Sequence, residues 1–174
     1  MKKVLVVLLF ALLLTGCKEQ AVYETMKDTV QTQAPGVKME VLLDLPVDAS
    51  RQVLSSEENG DVYFCDGCVL TVNTVVSGDL QKTFLQATGF TPEQLTVLQT
   101  RQGDAIRYSC VWTAAGEGGD QVGRCAILDD GNYHYVLTAM ADASVAGELT
   151  EGPWYGIFNS FRLIAPEELV DSGS

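Results

Sequence analysis

Apolar and polar positions alternate along this chain with periods that change several times, and each change marks an element. An unbroken apolar run, Val4 to Leu14, comes first, with Lys2 and Lys3 ahead of it. It is too short to span a bilayer, which takes about 20 residues. A polar leader follows, KEQAVYETMKDTVQTQAP, in which only Val22, Met26 and Val30 recur at helical spacing. It reads as a tether, or else as a short amphipathic helix docked on the folded part. Val37 to Leu45 is strand-like and ends at Pro46. Arg51 to Ser56 reads as a second short strand. Residues 61–76, DVYFCDGCVLTVNTVV, form two β-rich runs around Asp66-Gly67. An Asp-Gly pair between such runs predicts a hairpin closed by a type I′ turn.

The period then becomes helical. In Ser77 to Gly89 the residues Leu80, Phe84 and Ala87 share one face, and Gly89 is placed to end the helix. Thr91-Pro92-Glu93-Gln94 carries a capping box, and a strand follows from Leu95 to Arg101. Alternation returns in a three-stranded meander, DAIRYSCVWTA, QVGRCAILD and NYHYVLTAMA, with Asp130-Gly131 as its second turn. Counting from its two turns pairs Cys110 with Cys125 and Ile127 with His134. Period two puts Tyr108, Cys110, Trp112, Cys125, Ile127, His134 and Val136 on one face; Arg124, Ala126, Leu128, Tyr135 and Leu137 lie on the other. Both faces are apolar enough to need a cover. Trp154, Ile157, Phe158 and Phe161 form the stripe of a last helix, which Pro153 can start and which supplies one cover. The expected fold class is α+β: a single α/β sandwich with a central antiparallel sheet, built as strand, hairpin, helix, meander and C-terminal helix.

The opening run ends in Leu14-Thr15-Gly16-Cys17, which resembles the lipobox of bacterial lipoproteins in all its fixed positions. The resemblance implies that a diacylglycerol is added to the Cys17 thiol and that the signal is cut just before it, often followed by acylation of the new amino group. Two acyl chains hold stably where one is marginal, since each buried methylene contributes about 0.8 kcal/mol. The organisation is then a signal peptide, 1–16; the lipidated Cys17 and polar tether, 17–36; one folded domain, 37–164; and an acidic tail, 165–174. The expected location is the extracytoplasmic side of a cell membrane, reached through the anchor at Cys17.

Order and pattern across roughly 37–164 also resemble the PsbP-like superfamily of small α/β sandwich proteins. Thr88-Gly89-Phe90 with Pro92 to Leu95, Asp130-Gly131 before Tyr133 to Leu137, and Ser160-Phe161 carry that likeness. It implies the sandwich and no activity, because its members differ in what they do. The four cysteines beyond Cys17 depart from the family's usual composition.

Charge narrows the partners. Losing Lys2 and Lys3 with the signal takes the formal net charge from −12 to −14. No basic cluster offsets it, so nucleic acid and a second, electrostatic membrane contact are excluded. A two-lobed solute-binding architecture is excluded by length, which leaves room for one domain.

Candidate chemistry rests on the cysteines. In an oxidising compartment Cys65, Cys68, Cys110 and Cys125 are disulfide candidates. The opposed pair Cys110 and Cys125 would close a loop of 14 residues, worth about 3 kcal/mol if chain entropy sets the gain. Cys65-Asp66-Gly67-Cys68 reads as a structural disulfide or inert thiols, or alternatively as a thiol-disulfide exchange site. A zinc site would need both pairs to converge, and only one has the short ligand spacing. His134 is the single histidine and reads as a packed or rim residue. Asp129-Asp130-Gly131-Asn132 lacks the alternating ligands of a calcium loop. No catalytic set, metal site or cofactor motif is expected. The leading reading is a membrane-anchored, non-catalytic binding or accessory module for a protein or envelope ligand; the alternative is a surface redox protein using Cys65 and Cys68.

Overall fold

The computed structural model describes residues 36–52, 60–116 and 119–166. The signal run, Cys17, the leader, most of the second expected strand and the end of the acidic tail lie outside the described residues.

Seven antiparallel strands form the main sheet: β2 Ser50–Gln52, β3 Asp61–Cys65, β4 Cys68–Val76, β5 Leu98–Gln102, β6 Ala105–Gly116, β7 Gly119–Asp129 and β8 Tyr133–Asp142. Their spatial order is β2-β3-β4-β8-β7-β6-β5. The expected strand 37–45 contracts to β1, Glu40–Leu42, and pairs with β9, Arg162–Ile164, as a separate two-stranded sheet. Helix α1 is Leu80–Thr88, α2 is Ala146–Glu151 and α3 is Pro153–Ser160.

Local signals set these boundaries. Asp79 caps α1 by accepting the Lys82 N–H at 2.9 Å, and Gly89, at φ 80°, ends it in the left-handed region. Ser77 therefore lies before the helix rather than starting it. At 91–94 the chain makes one 3-10 turn in which Gln94 Oε1 accepts the Thr91 N–H at 2.9 Å. Pro153 occupies the first turn of α3, where its missing N–H costs nothing. The final helix stops at Ser160, and the next residues are drawn into β9 by Val41 opposite Leu163.

Face assignment follows the pleat. The side bearing Tyr108, Cys110, Trp112, Cys125, Ile127 and Val136 packs under Phe84 of α1. The side bearing Ala126, Leu128, Tyr135 and Leu137 packs under Trp154, Ile157 and Phe158 of α3 and under Phe161. Burying each of those large side chains contributes about 1.5–3 kcal/mol. This is the α/β sandwich expected, with helix cover on both faces.

Two turns differ from expectation. At Asp66-Gly67 only Gly67 has positive φ, 73°, so the turn is not type I′. Cys65 still opposes Cys68, because the loop length is unchanged. In the second meander hairpin His134 pairs with Asp129, and Ile127 pairs with Val136. The turn is centred on Gly131-Asn132 because Asp130 Oδ1 accepts the N–H groups of Asn132 and Tyr133 at 2.8 and 2.7 Å. That keeps Asp130 in the strand-side position and hands the positive φ, 88°, to Gly131. A turn moved by one residue shifts register by two, so every side chain keeps its face.

Candidate functional site

Cys65, Cys68, Cys110 and Cys125 are free thiols in the structure, set as two facing pairs. Cys65 and Cys68 close the mouth of the β3–β4 hairpin. Burial pushes the Cys65 thiol up to about 12, and the Cys68 thiol and the Asp48 carboxylate add to the effect. Asp48 is held there by its Oδ2, which accepts the Asp66 N–H. Every influence on Cys65 disfavours its thiolate, which is the attacking species in thiol exchange. The hairpin thus withholds what a helix N-terminus supplies at a redox-active Cys-x-x-Cys.

The second pair is in the core beneath α1, with Cys110 at 4% and Cys125 at 0% exposure. Their thiols face each other across the β6–β7 ladder; the interaction with Cys125 lowers the Cys110 pKa, while the same interaction and burial hold Cys125 well above its ordinary value. Cys65 and Cys68 belong to the core on the opposite side of the sheet. The two pairs therefore cannot converge on one zinc ion. Among the described residues no group of three or more His, Cys, Asp or Glu is arranged to hold a metal.

His134 is fully buried rather than at a rim, 2% exposed. Its Nδ1 lies 2.8 Å from Thr83 Oγ1, and its Nε2 lies 3.3 Å from Ser77 Oγ and 3.7 Å from Asp129 Oδ2. Serine and aspartate thus meet the same ring nitrogen. A proton relay needs them on opposite nitrogens, with the carboxylate orienting the ring and the hydroxyl giving up its proton. Burial would raise Asp129, but the neighbouring His134 imidazole and hydrogen bonds from the Gly131 N–H and the Ser77 hydroxyl take it below the usual carboxylate range. The cluster ties the start of α1 to the end of β7, which is a structural task. Asp130 is equally committed: its Oδ2 accepts the Tyr135 hydroxyl at 2.9 Å, and that hydroxyl accepts Met39 N–H at 2.7 Å.

Two arginines on the α3 face went unassigned in the sequence, where only Arg124 was given a face and neither was given a role. Arg107 donates from Nη2 to the Phe158 carbonyl at 2.7 Å and from Nη1 to the Phe161 carbonyl at 3.3 Å and to Gln102 Oε1 at 2.8 Å. It caps the C-terminus of α3 with charge of the favourable sign. The Arg124 guanidinium stacks 4.5 Å above the Phe158 ring. Burial lowers both pKa values, and Arg124 lowers that of Arg107 further. The available signal was a cationic side chain at inward-facing strand positions, in a chain with 11 basic against 23 acidic residues.

The fold and these sites define an α+β sandwich with a buried histidine cluster on one face and two arginines on the other. No protein-family model and no curated protein matches the sequence. Among solved structures, one from Bacteroides thetaiotaomicron VPI-5482 is similar at 9% identity and TM-score 0.49, over 73% of this chain and 46% of that one. The chain thus spans less than half of that protein. A second is LpqN of Mycobacterium tuberculosis, described as involved in cell envelope biogenesis, at 12% identity and TM-score 0.49, over 78% of this chain and 88% of that one. At such identities side-chain chemistry does not transfer. Among the described residues no helix is long and apolar enough to cross a membrane.

Proposed function

We propose that this chain is a lipid-tethered binding module held on the extracytoplasmic side of a cell membrane, with a folded part, 37–164, of PsbP-like kind. The single observation that carries the reading is Leu14-Thr15-Gly16-Cys17 at the end of a charged-then-apolar leader. Acylation at Cys17 anchors the protein, and the polar residues after it space the sandwich from the bilayer. A binding role suits the sandwich because the histidine cluster crowds one ring nitrogen and the Cys65 thiol resists ionisation. We assign Cys110 and Cys125 to a structural disulfide, a pairing supported by their opposed register, and Cys65 and Cys68 to a second structural pair. The acidic balance keeps nucleic acid from the surface and leaves an envelope component as the partner.

The test is metabolic labelling of expressing bacteria with a palmitate analogue, followed by fractionation and intact-mass measurement with and without reductant. Label in the membrane fraction, lost on Cys17→Ala together with release of the protein, is the expected result. Mature protein in the culture fluid with no acyl mass overturns the reading.

A further inference from the structure

We infer that Arg124 is the anion-recognising centre of a ligand site on the open margin of the α3 face, and that the site takes a carboxylate carried on an apolar group. The inference rests on the binding-module reading and gives it a ligand class.

Arg124 is half-buried in an acidic protein, yet among the described residues no carboxylate lies within ion-pairing distance of it and no acceptor takes its N–H groups. Arg51, by contrast, is paired with Asp61 on the surface. The only acidic residue on this face of β7 is Asp120, four residues along the strand, or roughly 13 Å away. A partly desolvated guanidinium without a counterion or acceptor is a costly arrangement, and a bound anion relieves it. The Arg124 guanidinium carbon sits 4.5 Å over the Phe158 ring, a contact that uses none of the in-plane N–H groups that match a carboxylate.

Arg107 adds field rather than donors. Both guanidinium groups converge on Phe158, one at its carbonyl and one over its ring, but the Arg107 N–H groups are already taken by carbonyls, Gln102 and Ser109. One free fork therefore suits a single planar carboxylate better than a phosphate, which needs donors on several sides.

The floor beside the fork is apolar and uncovered. Val111 lies directly opposite Arg124 across the β6–β7 ladder and is 57% exposed; Leu98, opposite Ser109 on the same face, is 63% exposed. Helix α3 covers the sheet as far as Phe158 and leaves this strip open. A ligand with a carboxylate at Arg124 and a hydrocarbon portion over Val111 and Leu98 covers both the charge and the strip.

The experiment observes the Arg124 Nε–H resonance in full-length, membrane-reconstituted protein, assigned by its loss in Arg124→Gln, during titration with phenylbutyrate. A saturable shift is expected, with phenylbutanol and inorganic phosphate each at least about tenfold weaker. Val111→Glu, at an exposed strand position that tolerates a polar side chain, places a carboxylate opposite Arg124 and should weaken phenylbutyrate by a similar factor. No saturable shift, or undiminished binding in Val111→Glu, overturns the proposal, and phosphate binding as tightly as phenylbutyrate overturns the ligand class. The titration reads Arg124 and the labelling experiment reads Cys17, so the two failures are separable.

Discussion

Replacing Gly123 with alanine sets a methyl group into the ring of Trp112, its partner across the β6–β7 ladder. A Cβ built on Gly123 overlaps Trp112 Cζ2 and Cε2 and lies 2.7 Å from Met140 Sδ. Comfortable carbon contacts are about 3.5–4.0 Å, so the indole has to withdraw by roughly 1 Å from a site where it is only 7% exposed. Overpacking of this kind costs about 1–3 kcal/mol. The loss of glycine's freedom in the unfolded chain returns about 0.4–1 kcal/mol, which leaves a net loss of roughly 1–2 kcal/mol. Each kcal/mol lowers the melting midpoint by roughly 2–8 °C over this range of domain size. The decisive assay repeats the change in a Trp112→Ala background, where the indole is gone and only the flexible Met140 side chain has to shift, with thermal and urea melts of all four proteins. There Gly123→Ala should be neutral or stabilising, a reversal of sign that gives a coupling of roughly 2 kcal/mol. Equal losses in both backgrounds would show that the glycine serves the backbone and not the indole.

Further outcomes follow from the same packing. Arg107→Met removes charged hydrogen bonds to the carbonyls of Phe158 and Phe161; with each such bond worth about 1.5–3 kcal/mol, a loss of roughly 2–4 kcal/mol in urea melts is expected. Lysine should restore less than half of it, and an unchanged midpoint in Arg107→Met would contradict the capping role. In the reduced protein, displacement of Cys65 from 9.0 to about 12 cuts its thiolate fraction at pH 8 about a thousandfold, and because a more basic thiolate is intrinsically more nucleophilic, alkylation at least about tenfold slower than a free thiol is expected. Free-thiol rates at Cys65, measured by peptide mass spectrometry, would refute the buried-thiol geometry. Because the folded pKa is the higher one, this group's stabilising contribution is complete below pH 9.0 and fades as pH climbs towards about 12. Cys65→Ser should flatten that alkaline loss.

How much of this was legible beforehand depends on the range of the cause. Trp154, Ile157 and Phe158 announced α3 through spacing alone, and the end of α1 was written in Gly89, while its cap proved to be Asp79 rather than the expected start at Ser77. The two faces of the meander were readable because side-chain alternation survives a register change of two, even though the turn sits one residue beyond the expected position. The pairing of β1 with β9 was not readable: three residues on each side carry too weak a pattern to announce a partner more than a hundred positions away. Whether His134 was packed or at a rim stayed open for the same reason, since Thr83 and Ser77 reach it from a stretch distant in sequence.

By itself, then, the amino-acid order determined the β3–β4 hairpin, α1, the meander and α3, the inward faces of the meander, the opposition of Cys110 to Cys125 and the candidate anchor at Cys17, all of which depend on neighbours a few residues apart. The tertiary structure alone decided which charges are satisfied. Arg107 finds carbonyls at the end of α3, Asp129 finds His134, and Arg124, among the described residues, finds the ring of Phe158 and no counterion. Satisfaction of a polar group depends on what the whole chain brings within about 3 Å of it, and no local pattern encodes that distance.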